Sequence, residues 1–152
     1  MTKPSGYRTY CTHQPFGGFQ IPVPVQNIVV REYARRNQLL LKLSVNELFL
    51  PGCYLGLQGL LEQLPRLEGL FMASLFVLPE DAEVRERVYA ALLRESASLH
   101  LVMESVVASS RADFERIEEI LMIHQTLKDC PKTLPEALLE PLPASPCFSG
   151  GD

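Results

Sequence analysis

The chain has 152 residues, of which 47% are hydrophobic and 21% charged, and it carries a formal net charge of −4. This length and composition suit one folded domain with its own core and exclude a disordered chain. The acidic balance argues against a nucleic-acid partner, because proteins that bind nucleic acids usually present a basic face.

The first third of the chain is read as strand, loop, helix and strand. Residues 5–10 predict a first strand, because β-formers follow a glycine within this segment. The Pro15-Phe-Gly-Gly turn then breaks the chain, and Pro24 suits the first turn of a helix that runs to about Asn37. The apolar run at residues 38–43 predicts a second strand, covered on both faces of a parallel sheet.

The middle of the chain repeats the same order. Leucines at helical spacing predict a second helix over residues 53–64, and residues 69–78 are the strongest candidate for a strand. A proline at position 79 opens a third helix, whose first turn carries acids that the helix dipole favours. Residues 98–103 then predict a fourth strand.

A last helix completes the fold. Ser110 followed by Asp113 resembles a capping box, and the helix is expected to end near Pro131. Four strand–helix repeats predict an α/β protein: a doubly wound three-layer sandwich with a mainly parallel four-stranded sheet, resolvase-like or flavodoxin-like. Residues 1–131 would form one domain, and residues 132–152 a proline-rich, flexible tail.

The sequence also indicates a compartment. No segment approaches the roughly 20 apolar residues that span a bilayer, and no leader opens the chain. The cysteines are scattered and form no Cys-x-x-Cys pair, which argues against a metal clip or a disulfide framework. We therefore expect a cytoplasmic protein with neither a metal site nor a cofactor.

Polar side chains follow each predicted strand, and the carboxyl ends of parallel strands meet at one edge, where ligands of open α/β sheets bind. The candidate catalytic residues are Glu104, His13, Cys11 and Glu47. The candidate substrate-binding residues are Arg8, Tyr10, Thr12, Gln26 and Ser74.

Each candidate has two interpretations. Cys11 is a nucleophile if Arg8 or His13 lowers its pKa, or a small buried thiol. His13 is a general base or an exposed loop histidine. Glu47 and Glu104 are an acid–base pair in a shared cleft, or a surface acid and a strand-end acid with a structural partner. Arg8 either clamps an anionic ligand or is paired within the fold.

The segments Gly6-Tyr7-Arg8, Cys11-Thr12 and Glu104-Ser105 resemble the catalytic domain of serine recombinases (resolvases). That family begins with a strand reading roughly Tyr-x-Arg-x-Ser-Thr, and the resemblance puts Cys11 at the position of the nucleophilic serine. The arginine pair that follows the family's third strand should lie near residues 76–81, which contain no arginine. The resemblance therefore implies the fold rather than DNA strand cleavage.

A second resemblance is to sporadic carbohydrate cluster proteins, which are encoded among genes for bacterial surface polysaccharides. It covers about residues 5–125 and is carried by Pro15-Phe-Gly-Gly, by Ile21-Pro-Val-Pro-Val-Gln-Asn27 and by Leu64-Pro-Arg-Leu-Glu-Gly69. This resemblance implies work on an activated or glycan-linked sugar.

Two function hypotheses follow. The first is a small cytoplasmic enzyme that binds a sugar-like intermediate and isomerises, epimerises or eliminates it by acid–base chemistry. The alternative is a non-catalytic dimeric interaction or regulatory protein on a degenerate resolvase-like scaffold. Its dimer face would lie on the last helix, at Ile117, Leu121 and His124, and a homodimer suits either hypothesis.

The shape of the sheet edge distinguishes the two hypotheses. An open polar pocket that holds Arg8, Cys11, Glu47 and Glu104 favours the enzyme, and a filled, shallow edge favours the interaction protein.

Overall fold

The computed structural model describes residues 3–15, 20–130 and 133. Most of the predicted Pro15-Phe-Gly-Gly turn, the tail at 132–152 except residue 133, and Cys147 lie outside these residues. The elements are β1 (Tyr7–Cys11), α1 (Val23–Arg36), β2 (Val45–Asn46), α2 (Leu55–Leu61), β3 (Gly69–Met72), α3 (Ala82–Arg94), β4 (Ser98–Leu101), β5 (Val106–Ala108) and α4 (Arg111–Asp129), with short 3-10 turns at Leu64–Arg66 and Leu75–Val77.

The strands form one sheet in the order β2-β1-β3-β4-β5. The pairings β1–β2, β1–β3 and β3–β4 are parallel, and β4–β5 is antiparallel. The predicted α/β sandwich is therefore confirmed, but the sheet has a fifth strand and is mixed. At its centre, a Cβ on Gly69 would lie 2.1 Å from the Ser98 carbonyl oxygen, so β3 and β4 can approach only because this residue is glycine.

The sequence did not predict the fifth strand, because the turn between β4 and β5 contains no glycine or proline. β4 and β5 form a hairpin whose turn ends at Ser105, which has φ 54°. A positive φ usually calls for glycine or asparagine, and these are the residues by which such turns are recognised in a sequence. With serine in that position, the residues after the predicted fourth strand were interpreted as a loop and not as a hairpin turn.

The second predicted strand was misplaced. Residues 38–43 contribute one isolated bridge, between Leu41 and Tyr7, and the regular β2 lies further on. The run does not lie inside a covered sheet, because Leu40 is 60% exposed and Leu43 is 81% exposed. Residues 38–43 run beside β1 at the edge of the sheet. A run of consecutive leucines gives the same sequence pattern there as in a strand that is buried on both faces.

Two hydrophobic layers cover the sheet, because alternate side chains of each strand point to opposite faces. On one face, Val30 and Ala34 of α1 pack with Phe71 and Ala73. The other face is covered by α2, α3 and α4, through a larger cluster that includes Leu57, Leu60, Val88, Leu92, Phe114 and Ile117. This arrangement is the predicted three-layer sandwich.

The last helix is fixed at its start and along its first half. The predicted capping box is confirmed, since the Ser110 hydroxyl accepts from the Asp113 N–H and the Asp113 carboxylate accepts from the Ser110 N–H. Arg85 of α3 donates two hydrogen bonds of 2.7 Å to Glu118, and the Tyr89 hydroxyl donates a third of 2.6 Å. These bonds from Arg85 hold the pKa of Glu118 below its usual range.

In the part of the chain that the structure describes, none of the helices is long and apolar enough to cross a bilayer.

Candidate functional site at the carboxyl edge of the sheet

The parallel strands end at one edge, and a groove of about 760 Å³ separates this edge from the second half of α4. The residues that line it include Tyr10, Thr12, Glu47, Phe76, His124 and Lys128. Three predicted site residues therefore reach the groove, together with side chains of α4 that the sequence reading did not assign to it.

The groove does not hold the expected set of reactive groups. Of Arg8, Cys11, Glu47 and Glu104, only Glu47 lines it. The open pocket that holds all four residues, which was expected of the enzyme, is therefore absent from the described residues, and the edge is also not the filled, shallow surface that was expected of the interaction protein.

Cys11 lies beneath α1 and not in the groove. Its side chain is 0% exposed, and its Sγ lies 3.7 Å from the Asn27 Oδ1 atom. Burial raises the pKa of the Cys11 thiol to about 11, so it is protonated at neutral pH. Neither of the cations proposed to activate it does so: Arg8 points to the opposite face of β1, and His13 is exposed to solvent.

Arg8 is hydrogen-bonded to two neighbouring segments of the fold. Its Nε donates to the Leu43 carbonyl oxygen at 2.8 Å, and its Nη1 donates to the Gln63 side chain. The first bond ties the guanidinium to the segment that runs beside β1 before β2 begins. The guanidinium is thus engaged by the fold, as the structural interpretation of Arg8 requires.

Glu47 caps the N-terminal end of α2. Its carboxylate accepts from the N–H groups of Gly56, Leu57 and Leu48 at 3.0–3.1 Å and from the Tyr10 hydroxyl at 3.0 Å. Burial acts to raise the pKa of Glu47, but the backbone hydrogen bonds outweigh it and the pKa is lowered. The pKa of Tyr10 is raised by burial and by the Glu47 charge. Glu47 is therefore a buried, ionised helix cap.

Glu104 joins two turns. It accepts from the Ser74 hydroxyl, and from the Leu75 N–H at 3.0 Å. Ser74 in turn accepts from the Phe76 N–H at 3.3 Å, at the start of a 3-10 turn. The β4–β5 hairpin is thereby tied to the loop after β3.

Gln26 joins the end of β1 to the start of α1. Its Nε2 donates to the carbonyl oxygens of Thr12 and Ile21, at 2.7 and 2.8 Å, and its Oε1 accepts from the Thr12 N–H at 3.3 Å. Gln26 is fully buried, so these bonds satisfy an amide that burial would otherwise penalise. His13 lies beyond this contact, exposed, with its ring 6.3 Å from that of Phe49.

The structure thus brings the predicted residues together as three separate pairs, Tyr10–Glu47, Thr12–Gln26 and Ser74–Glu104. Among the described residues, no hydrogen bond joins one pair to another. Catalytic and substrate-binding roles for these six residues, and for Arg8, Cys11 and His13, stay predictions. Cys11, Cys53 and Cys130 are free thiols, and over the described ranges no three His, Cys, Asp or Glu side chains lie close enough to hold a metal.

The sequence did not predict which residues of α4 form its exposed face. Ile117, which we assigned to a dimer face, is 1% exposed and packs into the core. Ile120, Ile123 and Leu127 are instead 38%, 57% and 64% exposed. A second apolar stripe at positions 120, 123 and 127 was visible in the sequence, but periodicity alone does not tell which stripe faces the core.

Comparisons with known proteins identify the fold. No protein-family model matches the chain, and no curated protein matches it. The solved structure of the N-terminal catalytic domain of TP901-1 integrase matches with a TM-score of 0.57 at 13% identity, over 80% of this chain and 97% of that one. A resolvase family site-specific recombinase from Streptococcus pneumoniae matches with a TM-score of 0.58 at 11% identity, over 82% and 95%.

These matches confirm a resolvase-like fold and correct two expectations. The sugar-processing enzyme is contradicted, because both neighbours belong to site-specific recombination, and the carbohydrate-cluster resemblance finds no support. The expectation of a sugar-like partner rather than nucleic acid is contradicted by the same neighbours. Net charge is a poor guide to partners, because it averages over the whole surface and does not depend on the fold.

Proposed function

We propose that the chain is a non-catalytic interaction module built on a resolvase-like scaffold and acting as a homodimer. The observation that carries the proposal is the state of Cys11, which occupies the nucleophile position of the resembling strand motif. A nucleophilic cysteine must be ionised and accessible. This thiol is 0% exposed and has a pKa of about 11.

The arginine of the motif supports the same proposal. In the pattern Tyr-x-Arg-x-Ser, arginine and serine are two residues apart and share one face of the strand. Two residues before Cys11 stands Thr9, which is 1% exposed, and its Oγ1 has no hydrogen-bond partner among the described residues. Arg8 is one residue out of phase and is bonded on the other face.

The charge at the sheet edge is also unsuited to phosphoryl transfer. Such chemistry depends on cations placed around the developing negative charge of the phosphate. Here the turns that follow the strands carry the carboxylates of Glu47 and Glu104. Arg85 lines the groove, but Glu118 engages its guanidinium through two hydrogen bonds.

Duplex DNA is the first partner class to test, because the two structural neighbours are recombinases. A library of supercoiled plasmids that carry fragments of the source genome would be incubated with the purified full chain. Covalent adducts would be trapped with detergent, and binding would be followed by gel shift at several salt concentrations. We expect no adduct and no strand breaks, whether or not DNA is retained.

A Cys11→Ala variant serves as the matched control. An adduct that forms with the natural chain and disappears in this variant would overturn the proposal, because it would show that Cys11 attacks phosphate. A chain that remains monomeric at all concentrations would overturn the homodimer.

A further inference from the structure

The groove between the carboxyl edge of the sheet and α4 has a partly aromatic lining. It holds about 760 Å³, within the range of roughly 300–1,000 Å³ that is typical of ligand sites. Tyr54, Phe76 and His124 line it and are neither fully buried nor fully exposed. Leu121 and Pro79 add apolar surface beside them. Aromatic and apolar side chains along a groove are suited to extended polypeptides, above all to segments rich in proline.

Several polar groups of this lining are not engaged by the fold. The ring of His124 packs on that of Phe76 with their centroids 4.5 Å apart, and its Nε2 atom is buried without a hydrogen-bond partner among the described residues. Within the same part of the chain, no hydrogen bond joins the Tyr54 hydroxyl or the Lys128 ammonium to another residue. All three groups can donate, so the groove suits a ligand that offers acceptors.

The charges of the lining favour a neutral acceptor over an anion. The cation Lys128 is accompanied by the carboxylates of Glu80 and Asp129, which also line the groove. Arg85 is already engaged by Glu118 through two hydrogen bonds. A phosphate or carboxylate ligand would therefore lie close to like charges, which is unfavourable. Backbone carbonyl oxygens accept hydrogen bonds without carrying a charge, and every polypeptide offers them.

One segment of the chain itself has this chemistry and begins at the groove. The helix α4 ends at Asp129, which lines the groove, and residues 131–152 follow it. Residues 134–146 contain four prolines and four leucines. Proline has no N–H group and favours an extended backbone of the polyproline II type. Such a segment offers carbonyl acceptors and apolar side chains, with few donors of its own.

The length of the segment is sufficient for it to return along α4. Cys147 lies 17 residues after Cys130, and an extended chain of that length spans about 53 Å at roughly 3.1 Å per residue. The part of α4 that lines the groove, from Glu118 to Asp129, is only about 17 Å long at roughly 1.5 Å per residue. A tethered segment is present at an effective concentration on the order of millimolar, so weak contacts are enough to hold it.

We propose that the groove is a docking site for an extended, proline-rich polypeptide, and that its occupant is residues 134–146 of the same chain. Carbonyl oxygens of the segment accept hydrogen bonds from Tyr54 and His124. Its prolines and leucines pack on Phe76 and Leu121. A partner polypeptide of similar composition has to displace the segment before it can bind. This inference goes beyond the proposed function and does not depend on it.

The natural cysteines test where the segment lies. Cys53 lines the groove, and Cys147 directly follows Pro146 at the end of the segment. The full chain with Cys130→Ser, which removes a competing thiol, would be oxidised by diamide. Its disulfides would then be mapped by mass spectrometry. We expect a Cys53–Cys147 link within one chain as the main product.

Matched variants separate docking from chance encounters of the two thiols. Pro143→Asp combined with Pro146→Asp introduces carboxylates that the groove disfavours, and should slow the Cys53–Cys147 link about tenfold or more. Ser149→Asp adds the same kind of charge beyond the segment and should leave the rate unchanged. All three positions lie outside the described residues, so these variants test the segment without altering the core.

Histidine resonances give an independent measurement. The chain has three histidines, of which His124 lines the groove and His100 is bonded to Tyr33 of α1 on the other face of the sheet. The double proline variant should shift the ring signals of His124 and leave those of His100 in place. A labelled peptide of residues 134–146 should bind this variant about tenfold more tightly than the natural chain, because the natural segment competes for the groove.

Three results would overturn the inference. A chain that forms no Cys53–Cys147 link, or forms it only between two copies, would mean that its own segment does not occupy the groove. A rate of linkage that the double proline variant leaves unchanged would mean that the two thiols meet by chance. Unchanged His124 signals, or a peptide that binds both chains equally, would mean that the groove does not take this segment.

Discussion

The carboxyl edge of the sheet and the outer face of α4 differ in how the fold uses their side chains. At the edge, the side chains that look reactive are engaged: Glu47 caps α2 and Glu104 joins two turns. On α4, Ile123 and Leu127 are 57% and 64% exposed in the part of the chain that the structure describes. A polar cluster in a sequence therefore marks a functional site only if the fold leaves its donors and acceptors without partners. Among the described residues, the surface left exposed is the apolar face of α4.

The largest expected effect is at the edge. Glu47→Ala leaves the N–H groups of Gly56 and Leu57 and the Tyr10 hydroxyl without their acceptor, and should lower the free energy of unfolding by about 3–5 kcal/mol. Urea denaturation measures this. Glu62→Ala, at the exposed end of α2, is the control and should change it by less than about 0.5 kcal/mol. A stable Glu47→Ala variant would mean that the carboxylate is not structural.

The two faces of α4 should respond differently to the same substitution. Ile117→Ala opens a cavity in the core and should cost about 2–4 kcal/mol. Ile123→Ala removes an exposed side chain and should cost less than about 0.5 kcal/mol when the chain is dilute enough to be monomeric. Equal losses at the two positions would show that Ile123 is packed within the monomer, contrary to the comparison.

The smallest effect concerns pH. Because burial raises the pKa of the Cys11 thiol to about 11, the folded state holds this proton more tightly than the unfolded chain. Its contribution to stability is therefore complete below the unfolded pKa near 9 and is lost as the pH rises towards 11. Cys11→Ala should lose less stability than the natural chain between pH 8 and pH 11, as measured by urea denaturation.

Thiol alkylation tests the same interpretation of Cys11. Cys130 is exposed and Cys11 is buried, so iodoacetamide should modify the native chain at Cys130 long before Cys11. Identical pH profiles of stability with and without Cys11, or early alkylation of Cys11, would show that the thiol is accessible and would reopen it as a nucleophile.

The sequence by itself determined the class of fold and most of its elements. Alternating strand and helix patterns gave the α/β sandwich, and Ser110 with Asp113 marked the start of α4 because capping depends only on neighbouring residues. The sequence also placed polar residues at the carboxyl edge, since that edge follows from strand direction.

Only the tertiary structure decided what these residues do. Whether Glu47 is a free carboxylate or a cap depends on α2, which begins eight residues later, and whether Cys11 is reactive depends on the burial beneath α1. The choice between the two stripes of α4 depends on its rotation against the sheet. All three follow from contacts between segments far apart in the chain, and local propensity and periodicity carry no information about them.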